Sequence, residues 1–458
     1  KLIDRDQSLT FKRYKGRVWR ITQIEDLNGN VIALNRDADG LLEELRHPDG
    51  LRLTFYNRAD GLREGYDVVG LDGSTLPVMR YDYDSSGRMV FAQNAFGEDW
   101  QFDYDAEGRR VLSDNGQGTR SRHIYDDLGR ATAVDTGKTY KHGQIEYHPN
   151  GKQITVYHGA DKTHFEKLWF DDLGRHFMSS DAEGRLSYRK YSDSNELIKE
   201  IDPNGHSITY EYDAHGNIQS QKDQEGRETF MVWDDVGRLL SRVDHAGSAW
   251  DYEYDDQGNL TQARDPLGHV TNFRHTEAGL PMQMMRHDGL IEFRDYDDHN
   301  RLTRLIDFSG GEARFAYDTF NRVTEITDPA GQVTRLAYDP GEGRDFYTPS
   351  RTIRPDGVEL QRNFHPTGMI EAVTDGEGRT TRYRYGAYNT LEEIVDPRGH
   401  TLQFAYDSQQ RLTSVTNQMG LVWSFDRDRA GRVTQETDFD GRSLCYRYDD
   451  GGRVIRRD

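Results

Sequence analysis

The sequence predicts an all-β protein, a long antiparallel meander of ~40 short strands, two per repeat of about 21 residues, curled into a hollow shell. Three observations lead to this prediction. A Tyr-Asp-x-x-Gly-Arg phrase recurs along the chain, each repeat contains two turn signals, and the runs between the turns alternate apolar and polar residues. A fixed short period indicates one supersecondary unit that is copied and stacked, so we expect an array.

The aromatic position of the phrase gives the period. Thirteen of its eighteen occupants are Tyr and three are Phe or Trp, in a chain that is only 11% aromatic. The structural positions of the repeat are predicted to be Tyr83, Tyr104, Tyr125, Tyr212, Tyr254, Tyr296, Tyr317, Tyr338, Tyr406 and Tyr448. The same position is also occupied by Tyr147, Phe170, Tyr191, Trp233, His275, Phe364, Tyr385 and Arg427.

Each repeat begins its turns with Asp and closes them with Gly. Gly accepts the positive φ that tight hairpin loops need, and Asn is the next most tolerant residue. Asn replaces this Gly in four repeats, at Asn195, Asn300, Asn321 and Asn389. The two turns lie about 10 and 11 residues apart, which leaves room for short strands and none for helices.

The strand before each Tyr-Asp alternates with a period of two. Trp250, Tyr252 and Tyr254 point one way, and Asp251 and Glu253 point the other. The return strand is less regular, because apolar residues such as those at 302 and 305 are three apart. We therefore expect a sheet with one apolar face, and a twist or bulge in each return strand.

The array is predicted to cover residues 36–458, after a degenerate N-terminal segment at 1–35. Arg36-Asp37 and Asn57-Arg58 stand where Tyr-Asp stands in later repeats. The segment reads as a piece of a longer shell. The period is interrupted at Glu64 to Arg80, Gly137 to Leu168 and Arg344 to Asn363, where insertions should form loops that contact something or are merely tolerated.

The number of strands predicts the curl. About 40 strands spaced ~4.8 Å apart make a ribbon ~190 Å long. Open twisted sheets rarely pass ~10 strands without curling, so this ribbon should wind on itself. One turn of it would be ~60 Å across, too wide for side chains to fill.

Composition limits the partners. Hydrophobic residues make up 34% of the chain and the mean hydropathy is −0.91, which suits a thin one-layer wall better than a thick core. The net charge of −20 argues against nucleic acid and anionic lipid as partners. The single Cys445 excludes an internal disulfide framework, and we expect neither a signal peptide nor membrane insertion by this segment.

No catalytic, cofactor or metal site is predicted. The run Asp37-Ala38-Asp39-Gly40 resembles the start of a calcium loop but coincides with a hairpin turn and lacks the rest of the pattern. The carboxylate pairs recur in the turn of many repeats, so turn chemistry explains them. The Tyr stripe could stack sugars, but cross-strand packing is the simpler interpretation.

Two phrases carry a family resemblance. Tyr83-Asp84-Ser85-Ser86-Gly87-Arg88 and Tyr104-Asp105-Ala106-Glu107-Gly108-Arg109 resemble the YD repeat of Rhs proteins, and so does the half-unit Asp265-Pro266-Leu267-Gly268. The resemblance covers about nine-tenths of the chain. It includes the polymorphic toxin shells, the C components of Tc toxins and the YD repeats of teneurins.

The resemblance implies a β-cocoon that encapsulates a C-terminal toxin domain of the same protein. Such proteins are made in the bacterial cytoplasm and delivered to target cells, by type VI secretion or in an insecticidal complex. Secretion spike proteins and an immunity protein are the further partners it implies. The family's autoproteolytic core and toxin domain are not visible here, so this segment is expected not to be an enzyme.

Two alternatives stay open at this point. One is a cell-surface adhesion or carbohydrate-binding repeat protein, as in teneurins. The other is an enzyme whose site lies in the irregular insertions.

Overall fold

The computed structural model describes residues 7–14, 18–136, 143–159, 162–338 and 348–458, together with the backbone of residues 2–4. These residues form 43 strands and one 3₁₀ turn, Ala387–Asn389. The prediction of an all-β antiparallel meander is confirmed.

The strands fall into four consecutive runs. The first run is β1 (Leu2–Asp4), β2 (Gln7–Arg13), β3 (Trp19–Asp26), β4 (Val31–Arg36), β5 (Leu42–Arg46), β6 (Arg52–Asn57), β7 (Arg63–Val69), β8 (Thr75–Tyr83) and β9 (Met89–Asn94). The second is β10 (Asp99–Tyr104), β11 (Arg110–Asp114), β12 (Arg120–Tyr125), β13 (Ala131–Asp135), β14 (Gly143–Tyr147), β15 (Gln153–His158), β16 (His164–Phe170), β17 (His176–Ser180), β18 (Leu186–Tyr191), β19 (Leu197–Ile201), β20 (Ser207–Tyr212) and β21 (Ile218–Asp223).

The third run is β22 (Glu228–Trp233), β23 (Leu239–Val243), β24 (Ala249–Tyr254), β25 (Leu260–Arg264), β26 (Val270–His275), β27 (Pro281–Met285), β28 (Ile291–Tyr296), β29 (Leu302–Ile306), β30 (Glu312–Tyr317), β31 (Val323–Thr327), β32 (Val333–Ala337), β33 (Arg351–Ile353) and β34 (Glu359–Phe364). The fourth is β35 (Ile370–Thr374), β36 (Thr380–Tyr385), β37 (Leu391–Val395), β38 (Thr401–Tyr406), β39 (Leu412–Asn417), β40 (Val422–Arg427), β41 (Val433–Thr437), β42 (Ser443–Tyr448) and β43 (Val454–Arg457).

The chain divides into two compact units. The first unit comprises Lys1–Gly97, Thr229–Gly368 and Asp375–Glu377, so it holds essentially the first and third runs. The second unit comprises Glu98–Glu228, Met369–Thr374 and Gly378–Asp458, and it holds the second and fourth runs. Within each run every strand pairs antiparallel with the next one along the chain, as a meander does.

The register fixes two faces. Across β24 and β25, Tyr254 lies opposite Leu260 and Tyr252 lies opposite Ala263, with the register shift that leaves Thr261 over as a bulge. The bulge expected in the return strand is therefore present, and it explains why apolar residues there are three apart. We call the face that carries the repeat tyrosines the tyrosine face, and the one that carries Glu253 the opposite face.

The wall has a thin core. The chain exposes 26586 Å² of surface, whereas a compact monomer of this length exposes about 18,000 Å². Among the described residues no large side chain is fully buried. In β24 the residues of the tyrosine face are half-buried and Asp251 and Glu253 are exposed, so burial comes from neighbours along the ribbon.

The turns behave as the sequence predicts. Asn195, Asn300, Asn321 and Asn389 all have a positive φ, between 58° and 70°. The interruption at Glu64 to Arg80 forms most of a long hairpin from β7 and β8. The other two interruptions lie partly outside the described residues, at 137–142, 160–161 and 344–347.

Candidate functional site

The functional elements of the described chain are its repeated turns, and Asp126 shows how one is built. One oxygen of its carboxylate accepts the amides of Leu128 at 3.0 Å and Arg130 at 2.9 Å, and the other accepts Nε of Arg130 at 2.8 Å. The amide of Gly129 donates to the carbonyl of Asp126 at 2.9 Å, and its φ is 79°. The Asp closes the turn and orients the Arg, which explains why the phrase needs Asp, Gly and Arg at these spacings.

The tyrosine of each repeat ties its strand to the preceding one. The hydroxyl of Tyr254, at the end of β24, donates to the carbonyl of Leu239 at 3.0 Å, at the start of β23. Eight other predicted positions donate to a backbone carbonyl upstream in the same way: Tyr83, Tyr125, Tyr212, Tyr296, Tyr317, Tyr338, Tyr406 and Tyr448. Tyr104 ends β10, at the corresponding place.

Three of the residues that replace Tyr keep the same hydrogen bond. Arg427 donates to the carbonyl of Leu412 at 2.8 Å, across the same fifteen residues as Tyr254 and Leu239. Arg36 and Asn57 make the equivalent bonds near the start of the array, each at 3.0 Å and also across fifteen residues. Phe170 and Phe364 occupy the position without a donor, so the position favours a side chain that donates to this carbonyl but does not require one.

The arginine of the phrase joins one turn to the next, a role that the sequence interpretation missed. Arg238 donates Nε to Asp234 at 2.5 Å in its own turn, and its guanidinium lies 5.1 Å from the ring centroid of Tyr254. It also donates to the carbonyl of Asp255 at 3.5 Å, at the next Tyr-Asp turn. The same stacking recurs between Arg109 and Tyr125, Arg130 and Tyr147, Arg175 and Tyr191, Arg301 and Tyr317, Arg322 and Tyr338, and Arg432 and Tyr448. The only signal in the sequence was the recurrence of Arg itself.

Hydrogen bonds and burial in the turns keep the Asp of the phrase ionised and the Tyr protonated. Hydrogen bonds from the Arg130 guanidinium and amide lower the pKa of Asp126 below its ordinary 3.8. Burial raises the pKa of Tyr254 above its ordinary 10.0. The carboxylate stays charged and the phenol stays protonated through neutral pH, so both serve as fixed structural groups.

Inside the first unit, turns far apart in sequence meet in what we call seams. The turn between β7 and β8 contacts the turn between β30 and β31. The amide of Leu71 donates to the carbonyl of Thr319 at 2.8 Å, the amide of Asp72 donates to the Thr319 hydroxyl at 2.9 Å, and that hydroxyl donates to the Asp72 carboxylate at 2.7 Å. The interruption at Glu64 to Arg80 thus supplies a contact 247 residues away.

A second seam of the first unit is built from asparagines. Asn28 and Asn259 exchange side-chain hydrogen bonds at 3.2 and 2.9 Å across 231 residues of sequence. Asn30 donates to the carbonyl of Ala278 at 2.9 Å. A Cβ on Gly279, whose φ is 80°, would lie 2.5 Å from the Asn28 amide nitrogen, so this approach requires glycine.

The second unit has seams of its own. The amide of Tyr388 donates to the Thr119 hydroxyl at 2.8 Å, and the Tyr388 hydroxyl lies 2.8 Å from the hydroxyl of Ser121. Tyr388 has a φ of 57°, an uncommon conformation for an aromatic residue, and the contacts across the seam hold it there. Elsewhere in this unit the amide of Gly451 donates to Asn204 at 2.5 Å. These seams have no periodic signature, so the sequence interpretation could not find them.

Among the described residues, no group of three or more His, Cys, Asp or Glu side chains is placed to hold a metal ion. No helix in the described part of the chain is long and apolar enough to cross a membrane.

A protein-family model matches several segments of this chain. The RHS Repeat family model matches residues 191–228, 233–271, 296–333, 317–344, 364–401 and 406–443. Curated protein sequences include no match to this chain.

Solved structures of Tc toxin components match this chain with TM-scores below 0.5. The crystal structure of TcdB2-TccC3 matches with a TM-score of 0.42 and 12% identity, over 96% of this chain and 36% of that chain. The Tc holotoxin pore of Photorhabdus luminescens, with a TccC3 mutation, matches with a TM-score of 0.36 and 14% identity, over 98% of this chain and 29% of that chain.

The chain thus spans about a third of the length of those two chains. The matched segments contain copies of the repeat phrase described above, such as those that begin at Tyr212-Asp213 and Tyr254-Asp255. The chain therefore carries RHS repeats, which the family model matches between residues 191 and 443.

Proposed function

We propose that this chain is part of a protein wall that encloses a toxin domain of the same protein and keeps it covered until delivery. The observation that carries this proposal is the set of seams. Within each unit, stretches of ribbon some 231–272 residues apart meet through their turns. We infer that the joined stretches of each unit belong to a closed wall.

The amount of ribbon within one unit supports this proposal. The first unit holds about 22 strands, β1 to β9 and β22 to β34, which is roughly 100 Å of ribbon at ~4.8 Å per strand. Side chains of a single sheet cannot fill the space that a wall of that extent would enclose. A protein cargo is therefore a better occupant than a small ligand.

The construction of the wall also suits a covering role. The turns link neighbouring repeats through Tyr, Asp and Arg, while both faces of the sheet keep exposed residues. In this proposal the wall itself catalyses nothing, and its stability keeps protease and premature contact away from the cargo. Delivery to target cells and any dependence on spike or immunity proteins belong to the same proposal.

Protease digestion of the complete gene product tests the proposal. The domain that the repeats are proposed to enclose should be cut at least about tenfold more slowly in the complete protein than when expressed alone. A Thr319→Val variant, which removes a seam hydroxyl, should speed its digestion. Thr303→Val is a matched control, because the Thr303 hydroxyl donates only within its own hairpin, to the carbonyl of Asp295 at 3.2 Å. Equal digestion rates with and without the repeats would contradict enclosure and favour the adhesion alternative.

A further inference from the structure

The opposite face of the second unit carries a row of apolar side chains. The register places Trp169 opposite Met178, Met178 opposite Tyr188, and Tyr188 opposite Ile201, across β16 to β19. Phe170 ends β16 on the tyrosine face, so Trp169 lies on the opposite face. Tyr188 keeps 38% of its surface exposed. In most other repeats the residues that stand here are polar, as Glu253 and Asp251 are in β24.

A row of lysines runs beside this apolar row. Lys190 lies directly opposite Lys199, Lys199 lies opposite Thr209, and Thr209 lies opposite Lys222. Lys190 follows Tyr188 by two residues in β18, so both project from the same face of the same strand. We call the two rows together the lysine strip.

The pair Lys190 and Lys199 has no ionic partner among the described residues, although Lys222 pairs with Glu228 at 3.4 Å. Like charges directly opposite each other destabilise a sheet. Most other lysines in this region are compensated, as Lys152 is by Asp172 and Lys162 is by Glu146 at 3.1 Å. The sheet therefore tolerates an unfavourable contact at this pair.

The distribution of lysine along the chain makes this pair more unusual. The protein has a net charge of −20, yet all eleven of its lysines precede residue 223. Nowhere in the later half does lysine occur, and arginine supplies the positive charge of the repeat turns there. A concentrated positive strip on an acidic protein attracts negative groups and steers them to one place.

We propose that the lysine strip binds an acidic polypeptide segment that also carries aliphatic or aromatic side chains. The carboxylates of that segment would compensate Lys190 and Lys199, and its apolar side chains would cover Tyr188 and Met178. From β16 to β21 the strip is about 24 Å long, the length of an extended segment of about seven residues. A polypeptide fits better than nucleic acid, because half of the strip is apolar and the whole chain repels a phosphate polymer. This inference rests on the proposed function, since the cargo is the protein that would supply the segment.

The test uses a short labelled peptide that alternates Glu and Leu, with its binding to the chain measured by fluorescence anisotropy. The double variant Lys190→Glu with Lys199→Glu should weaken binding about tenfold or more. Lys12→Glu with Arg13→Glu changes the net charge equally at two exposed residues of β2, in the first unit, and should leave binding within about twofold. Equal weakening by both double variants would overturn the proposal. So would tighter binding of a Lys-Leu peptide, of single-stranded DNA or of phosphatidylserine vesicles.

A stability measurement separates a binding role from a structural one. Lys190→Glu alone places a carboxylate opposite Lys199, so it should raise the Tm of the chain while it weakens peptide binding. A variant that lowers the Tm and leaves peptide binding unchanged would show that the lysines serve the sheet, and would overturn the proposal.

Failure of the lysine-strip proposal can be told apart from failure of the proposed function. If the complete protein protects its cargo and peptide binding ignores the strip variants, enclosure stands and the lysine strip is wrong. If the strip variants weaken peptide binding and the cargo is not protected, the strip is a binding surface and enclosure is wrong.

Discussion

A single hydrogen bond explains why the repeat position tolerates arginine in place of tyrosine. The hydroxyl of Tyr254 reaches the carbonyl of Leu239, and the guanidinium of Arg427 reaches that of Leu412. The two side chains differ in shape and share only a hydrogen-bond donor that reaches the carbonyl of the preceding strand. The aromatic ring adds a surface on which the preceding arginine stacks, as Arg238 does on Tyr254.

Arg427 is the place where this explanation is most easily tested. Its Nε is buried without a hydrogen bond, and burial together with the neighbouring Arg411 guanidinium lowers its pKa. Arg427→Tyr should keep a donor to the Leu412 carbonyl, remove the repulsion between the two guanidinium groups and let Arg411 stack on the new ring, which stabilises the protein by about 1 kcal/mol. Urea unfolding measures this, with Arg427→Leu, which lacks a donor, expected to be less stable than the natural protein. A destabilised Arg427→Tyr variant would show that the position does not work as described.

The contribution of the ring and the hydroxyl can be separated at Tyr254. Tyr254→Ala removes a half-buried ring and should cost about 2–4 kcal/mol. Tyr254→Phe removes only the bond to the Leu239 carbonyl and should cost about 0.5–1.5 kcal/mol. Chemical denaturation of both variants gives the two values. No loss of stability in the alanine variant would count against a packed aromatic stripe.

At the scale of the element, each Tyr-Asp turn is a closed set of contacts that also reaches its neighbour. The carboxylate of Asp126 binds its own turn, and the arginines carry the link to the following turn. Asn417 begins a turn in the same way, since its side-chain oxygen accepts the amides of Met419 at 2.9 Å and Leu421 at 3.1 Å. An amide oxygen can therefore replace the carboxylate in the turn, but it cannot pair with an arginine through charge.

The carboxylates predict how stability depends on pH. Their pKa values are lowered in the folded protein, as for Asp126, where the Arg130 side chain and amide are the main cause. Stability from these groups is fully present above the unfolded value of about 3.8 and is lost as pH falls through the lower folded values. Thermal unfolding should show a plateau down to about pH 5 and a steep loss below about pH 4.

The control for this pH dependence is Asp126→Asn. This side chain keeps an oxygen that accepts the backbone amides of the turn, but it cannot titrate. Its difference in stability from the natural protein should be largest at neutral pH and should shrink between about pH 5 and pH 3. A difference that stays constant over that range would mean that the charge of Asp126 contributes nothing.

The periodicity of the sequence predicts each strand and turn well, but it does not predict the contacts that a turn makes with distant parts of the chain. The positive φ of Asn195 and the bulge near Thr261 follow from turn chemistry and spacing, which are local. The partner of Thr319 lies 247 residues away and breaks no pattern, so only the folded chain reveals it. The lysine strip depends on register, because a one-residue slip would move Lys190 to the other face.

At the scale of the whole molecule, seams between distant turns do what a common hydrophobic core does in other proteins. Described side chains are rarely buried, and the ribbon is instead joined to itself inside each unit by hydrogen bonds such as those of Thr319 and Tyr388. Hydrogen bonds from Ser74, through its hydroxyl and its amide, and from the Thr319 hydroxyl lower the pKa of Asp72 to about 2. This seam therefore keeps its charge over all physiological pH values.

Hydrogen exchange tests whether a seam is a cooperative contact. In Thr319→Val the amides of Leu71 and Asp72 should exchange at least about tenfold faster. The Asp72 amide loses its acceptor, the Thr319 hydroxyl, and the neighbouring bond from the Leu71 amide to the Thr319 carbonyl is weakened as a result. Amides of β24, which lie away from this seam, should keep their rates. Unchanged exchange at Leu71 and Asp72 would show that the turns touch without holding each other.

The central claim, that the repeats enclose a protein, is tested most directly by electron cryomicroscopy of the complete gene product. We expect protein density of the cargo domain bounded by the β-wall, with part of it against the face that carries Tyr188 and Lys190. A cargo domain seen outside the wall, with only solvent bounded by the repeats, would contradict the account.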